Sequence, residues 1–257
     1  MKTFIREKLF QIWYWYVSKV DKNAEVILMN YGFHNEKLQL TLKDNDEPNR
    51  YSLQLYYHLA TQTDITNKDI IEIGSGRGGG LTFLTNTLKP ANAIGIELNQ
   101  KAVDFCNKHY QVDGLDFQQG DAQNLTLLDS CCDVVINVES SHRYPEFQQF
   151  LKETLRILRP GGYLLLTDFR YDYEMEEFNK DINQSGFELI KNQNINNEVV
   201  ASLKLDDIRR RALIEKLTPR FLHKTALNFA GAIGSETYNY FENKTYIYFS
   251  LTLQKPV

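Results

Sequence analysis

From residue 69 onward, short apolar runs alternate with segments of helical periodicity, and this alternation constrains the fold more than any other feature of the chain. The runs "DIIEI", "AIGIE", "LDFQQG", "CDVVINV" and "GGYLLLTDF" have strand length, and between them lie helix-like stretches such as "LTFLTNTL", "NQKAVDFCNKHY" and "PEFQQFLKETLRIL". Parallel neighbours need a crossover, and crossover helices cover both faces of the sheet, so this pattern reads as βαβ units. Two later runs, "FELIKNQNI" and "TYIYFSLTLQK", can close the sheet, and the second alternates and is tyrosine-rich, as an antiparallel strand is. The expected fold is α/β: a doubly wound, mostly parallel, seven-stranded Rossmann-like sheet.

Two regions depart from the alternation. Residues 1 to 63 read as a largely helical, aromatic N-terminal cap with a polar turn at "KDNDEPNR". Residues 195 to 243 read as a helical lid inserted before the last strand, within a main domain spanning 64 to 257. At 257 residues the chain can bury a sizeable core, and its net charge of -4 gives no basic footprint for nucleic acid. Cys106, Cys131 and Cys132 cannot all pair and lack metal-ligand spacing, so reduced thiols, a cytoplasmic location and no metal are expected. No run reaches the roughly 18 apolar residues of a membrane span. "FIREKLFQIWYWYV" places Phe4, Ile5, Leu9, Ile12, Trp13 and Tyr16 at helical spacing. The primary reading is a helix packed on its own protein, with a substrate-channel wall or peripheral membrane contact as alternatives.

"IIEIGSGRGGG" joins the first run to the first helix, and glycines at 74, 76 and 79 fit a dinucleotide fingerprint. Glycine lets a ligand approach the backbone at a helix N-terminus. Glu97 ends the second run, where a carboxylate can accept both hydroxyls of a ribose. These residues alone fit a nicotinamide cofactor or S-adenosylmethionine equally.

Further along lie "GDAQNL" at 120–125 and "LRPGGYLLLTDF" at 158–169. With Glu72, Gly74, Ser75, Gly76, Arg77 and Gly78, they resemble the ordered motifs of class I S-adenosylmethionine-dependent methyltransferases. The resemblance implies S-adenosylmethionine as cofactor, with the loop from Gly74 to Gly78 around its methionine part. It also implies Glu72 as a cofactor-binding residue with that loop, Glu97 on the ribose, Asp121 and Ala122 at the adenine edge, and Leu98 on the adenine ring. "MNYGFH", "RYSLQLYYHLA" and "NVESSHRYP" resemble the phthiotriolone-type group, which methylates hydroxyls of lipid or polyketide-like molecules. This likeness is looser over residues 170 to 257.

"VINVESSHRYPEF" then gains a meaning. In a doubly wound sheet, ligands sit beyond the carboxyl ends of the strands. A polar burst at the end of the fourth run therefore faces cofactor and substrate. Methyl transfer to a hydroxyl needs alignment and removal of a proton. His142, with an unperturbed pKa of about 6.5, suits that task. Glu139 is expected to orient His142 or to lie near the methionine part, and Asn137 joins the cofactor set. Arg143 and Tyr144 are expected mainly to anchor the turn, and Tyr31 and Gln54 to close over the cofactor. The charged cluster Asp206, Asp207, Arg209, Arg210 and Arg211 reads as a solvated helix face.

The expected activity is methyl transfer to a small, fairly apolar acceptor, most simply a hydroxyl. Rival readings are N- or C-methylation with the same cofactor, and a module that holds the cofactor without catalysis. A nicotinamide oxidoreductase should show a Tyr–Lys or His–Asp pair in a separate domain, and none is evident from the sequence. The acceptor's identity and the oligomeric state have no sequence signature.

Overall fold

β1 (Asp69–Ile73) sends Ile70 to one face of the sheet and Ile71 and Ile73 to the other, and each face carries its own buried cluster. β4 (Cys132–Val138) repeats this, with Val134, Ile136 and Val138 on the first face and Val135 on the second. A strand with both faces apolar cannot sit at a solvated surface, so these two strands are central.

The computed structural model describes Asp21 and residues 24–257. The remaining strands are β2 (Asn92–Glu97), β3 (Leu115–Gln119), β5 (Leu158–Tyr171), β6 (Glu188–Asn194) and β7 (Tyr246–Gln254). The helices are α1 (Arg50–Ala60), α2 (Gly79–Leu88), α3 (Gln100–His109), α4 (Phe147–Ile157), α5 (Met175–Gln184), α6 (Asn196–Leu217), α7 (His223–Phe229) and α8 (Glu236–Glu242).

The seven strands form one sheet in the order β3-β2-β1-β4-β5-β7-β6. β1 to β5 pair in parallel, and β7 runs antiparallel between β5 and β6. The chain proceeds from β1 outward to β2 and β3, then returns to β4 on β1's other side. This reversal makes the crevice beyond the ends of β1 and β4 the topological switch point. The sheet is the doubly wound, mostly parallel arrangement that the alternation implied.

α6, α7 and α8 are inserted between β6 and β7, and one residue fastens both ends of that insertion. Asn196 is buried; its Nδ2 donates to Phe241 O and Tyr246 O, and its Oδ1 accepts from Tyr248 N at 2.8 Å.

Two readings need correction. Residues 24–46 contain no helix or strand, so among the described residues of the N-terminal region the one α-helix is α1. Leu28, Tyr31, Leu38, Leu40 and Leu42 pack individually against the core from irregular backbone. "FIREKLFQIWYWYV" lies outside the described residues. The cluster on α6 is not a solvated face: Asp206 and Arg210 are buried, and Arg210 donates to Asp206 Oδ2, Ala230 O, Asn30 O and Tyr31 O. Arg210 thereby ties α6 to the segment that precedes α1. No helix among the described residues is long and apolar enough to cross a membrane.

Candidate active site

β1 ends at Ile73, and the chain must turn at once to enter α2. Gly74 does this at φ +79°, and a Cβ there would lie 2.4 Å from Ser140 Oγ. Only glycine satisfies both demands. Gly78 caps α2 at φ +75°, packed so close to Phe117 and Cys106 that a side chain has no room. Gly74, Ser75, Gly76 and Arg77 line a cleft of about 1190 Å³ at the switch point.

Glu97, at the end of β2, is aimed by the same backbone. Its Oε2 accepts from Gly76 N at 3.0 Å and its Oε1 from Asn99 N at 2.9 Å. The carboxylate is held against the loop while lining the cleft. Leu98, 65% exposed, lies beside it on the cleft wall, followed by Asp121 and Ala122. Ser75 Oγ is buried without a hydrogen-bond partner among the described residues, although Ser75 lines the cleft. A cradle of backbone, a positioned carboxylate, an exposed apolar side chain and an unpaired hydroxyl fit the adenosyl and amino-acid parts of S-adenosylmethionine.

Three residues of the expected set sit behind the wall rather than on it. Glu72 is buried and accepts from Tyr56 Oη at 2.7 Å. Burial pushes its carboxyl up to about 8, opposed by the Tyr56 hydrogen bond and reinforced by Glu97. Asn137 Nδ2 donates to Ile73 O, Ser140 Oγ and Tyr144 Oη, which knits the end of β1 to the turn after β4. Gln54 is buried on α1, whose cleft-lining residues are instead Ser52 and Tyr56.

The turn after β4 carries the remaining chemistry. Glu139 adopts φ +46°, an unusual conformation for a residue with a side chain, and this turns the carboxylate inward. Its Oε1 accepts from Tyr31 N at 2.7 Å and from Tyr248 Oη at 2.6 Å. Burial pushes its pKa up to about 8, against the hydrogen bonds from Tyr248 and Tyr31. Tyr31 itself lines the cleft.

His142 is placed by Asp168, at the far end of β5. Asp168 Oδ1 pairs with His142 Nδ1 at 2.8 Å, and Oδ2 accepts from His142 N at 2.9 Å and from Ser141 Oγ at 2.6 Å. Arg143 Nε donates to His142 Nε2 at 3.1 Å. A carboxylate facing Nδ1 and an N–H facing Nε2 assign the tautomer: the proton sits on Nδ1 and the lone pair on Nε2. Burial pushes the His142 pKa down to about 4 despite Asp168, so the ring is neutral at neutral pH. Burial works against an ionised Asp168, but His142, Arg170 and Ser141 outweigh it and hold the carboxyl below the ordinary range. Arg170 Nη1 lies 3.3 Å from Asp168 Oδ2, with its guanidinium over the rings of Phe147 and Phe178.

Asp168, Tyr248, Tyr56 and Asp21, whose buried carboxylate pairs with Arg77 of the glycine loop at 3.1 Å, are members of the site region to which the sequence reading assigned no role. The signal for Asp168 was its position at a strand's carboxyl end. The others have none, because their partners are distant in the chain. Beyond the turn the cleft continues between α6, α7 and α8, along Leu213, Ile214, Leu217, Ala226 and Phe229.

Comparisons with known proteins agree with this geometry. A methyltransferase-domain family profile matches residues 71–166. The chain is 36% identical over 237 residues to the phthiotriol/phenolphthiotriol dimycocerosates methyltransferase of Mycobacterium tuberculosis (strain ATCC 25618 / H37Rv), covering 92% of this chain and 88% of that protein. It is 38% identical over 210 residues to a fatty-acid O-methyltransferase of Mycolicibacterium smegmatis, covering 81% and 77%. Among solved structures, the [4+2]-cyclase SpnF superposes with a TM-score of 0.71 at 17% identity, covering 98% of this chain and 96% of that one, a likeness of fold. The glycine loop, the positioned carboxylate after β2 and these relatives together place the chain: it is an enzyme of the class I S-adenosylmethionine-dependent methyltransferases, in the family of the phthiotriol/phenolphthiotriol dimycocerosates methyltransferases.

Proposed function

We propose that the enzyme transfers a methyl group from S-adenosylmethionine to a hydroxyl of an apolar, lipid-like acceptor. The observation that carries this reading is the continuity of one cleft. It runs from the glycine loop and Glu97, past His142, to the apolar walls of α6 and α7. S-adenosylmethionine, held by the Gly74–Arg77 loop, Glu97, Leu98, Asp121 and Ala122, supplies an electrophilic methyl on a sulfonium centre.

The chain's own task is to align the acceptor and take its proton. Nε2 of neutral His142 receives the hydroxyl proton, and the ionised Asp168 stabilises the imidazolium through Nδ1–H. To reach Nε2, the hydroxyl displaces the hydrogen bond from Arg143. Glu139, with its raised pKa, keeps a proton at neutral pH and acts as a positioning group that holds Tyr31 and Tyr248. Residues 24–60 and the helices α6 to α8 exclude water from the reaction. Such alignment supplies up to roughly 7–11 kcal/mol, and a base typically adds about 10²–10⁴-fold.

A carboxyl acceptor is the second reading, favoured by the fatty-acid O-methyltransferase relative. A carboxylate carries no proton to remove. The experiment is mass-spectrometric detection of methylated product with long-chain alcohols and long-chain acids, for the wild type and His142→Gln. Ethers formed by the wild type and lost in the variant support the base. Esters formed equally by both support the second reading, and no product from either class refutes the lipid acceptor.

A further inference from the structure

The link between α6 and α7 combines three features that the methyl-transfer chemistry does not use. Phe221 is 83% exposed at the centre of the short turn Arg220–Leu222. Arg220 and Lys224 flank it, both exposed, and neither has an ion-pair partner among the described residues. The other basic groups nearby are already engaged: Arg209 and Arg210 by Asp206, Arg211 by Asp207, and Lys216 by Glu25. In a chain of net charge -4, residues 209–224 hold six Arg or Lys against one Glu.

This turn also joins two walls of the cleft. Leu217 and Thr218 on one side of it, and Thr225 and Ala226 on the other, are lining residues. An aromatic tip between unpaired cations, set between two lining segments at the apolar end of the cleft, matches the chemistry of a membrane interface. The ring enters the headgroup boundary while the cations meet anionic lipid.

We infer that the turn at Arg220, Phe221 and Lys224 docks the enzyme on an anionic lipid bilayer, with the apolar end of the cleft turned toward the membrane. The inference rests on the lipid-acceptor reading for its purpose, but its test does not involve methyl transfer. The docking is reversible, since one aromatic ring and two charges make a weak anchor.

The test is co-sedimentation of the full chain with vesicles of phosphatidylcholine alone and of phosphatidylcholine with phosphatidylglycerol. Each basic side chain at an anionic surface is worth about fivefold in partitioning. Binding to the anionic vesicles should therefore fall about 25-fold in R220Q/K224Q. It should fall about tenfold in F221S, and in the wild type when salt screens the charges. Unchanged melting temperatures, and unchanged methylation of a detergent-dispersed acceptor, show that the variants are folded. No sedimentation of the wild type with anionic vesicles overturns the inference, as does undiminished sedimentation of both variants. Self-association abolished by F221S, without vesicle binding, overturns it in favour of a second copy of the chain. Vesicle binding with no methylation of any long-chain acceptor instead refutes the acceptor reading and leaves the docking site standing.

Discussion

Replacing Asp168 with asparagine separates the two functions of one carboxylate. Oδ2 accepts from Ser141 Oγ and His142 N and faces Arg170 Nη1, while Oδ1 accepts from His142 Nδ1 and Phe169 N. An amide has one accepting end. Three donors converge on the Oδ2 position and two on Oδ1, so the asparagine oxygen takes the former and its NH₂ turns toward His142 Nδ1. Nδ1 must then accept, and the imidazole proton moves to Nε2, where the base lone pair had been. The expected loss in kcat is about 10²–10⁴-fold, the range for a removed general base. Cofactor affinity should change little, because Asp168 does not line the cleft. The substitution also strips Arg170 of its counter-charge, and breaking a buried pair costs about 3–5 kcal/mol. Single-turnover methyl transfer gives the rate, calorimetry the cofactor affinity and thermal melting the stability. A folded Asp168→Asn enzyme with the wild-type rate refutes the tautomer argument. Should that variant not fold, His142→Gln, which keeps Asp168, decides the same point. The pH profile is a companion readout. Because burial holds His142 near 4, the wild-type rate should be flat between about pH 5 and 7, where an ordinary histidine would titrate.

Three further outcomes follow from named contacts. Glu97→Ala should weaken S-adenosylmethionine binding by about 1.5–3 kcal/mol, the range for hydrogen bonds to a charged group, and unchanged affinity by calorimetry would remove Glu97 from the ribose site. Glu72 has a folded pKa raised from 4.5 to about 8, so the folded chain holds a proton that the unfolded chain has lost across that window, and stability falls as pH rises through it. His142 opposes this only between about 4 and 6.5, so the fall in melting temperature should show between 6.5 and 8 and be reduced in Glu72→Gln, and an identical slope in the variant would exclude Glu72. Arg210→Met leaves Asp206 paired with Arg209 alone and the carbonyls of Asn30, Tyr31 and Ala230 without this donor, at a cost of about 1–3 kcal/mol, and hydrogen exchange should quicken both in α6 and around Asn30 and Tyr31. Faster exchange in α6 alone would show that the two segments are not coupled through this side chain.

What could be read from sequence was what is local. The strands announced themselves because most residues buried on the two faces of a parallel sheet are apolar, and the glycine loop because its backbone admits few other residues. Residues 24–46 misled because they are rich in apolar side chains, yet Leu28, Tyr31, Leu38, Leu40 and Leu42 are held by tertiary packing and the backbone forms no regular element. Arg210 misled for another reason. Its pairing with Asp206 at i,i+4 has the spacing of a surface ion pair, and the carbonyls of Asn30 and Tyr31 that bury it carry no side-chain signature. The His142–Asp168 pair was invisible because its members are 26 residues apart, His142 in the turn after β4 and Asp168 on β5. Strand register, not sequence proximity, makes them neighbours.

The clasp at Asn196 has a consequence for how such an enzyme can diversify. It binds the beginning of the α6–α8 segment to the strand that receives its end, so the segment leaves and re-enters the sheet at nearly one point. A loop whose ends are fixed together can change length at small entropic cost, since each doubling adds only about 0.6 kcal/mol. The apolar end of the cleft can thus be lengthened, narrowed or relined while the register of β5, β7 and β6 is untouched. On the proposed acceptor reading this segment is an exchangeable cassette, and grafting it between relatives at Asn196 and Tyr246 is the natural route to a new acceptor range.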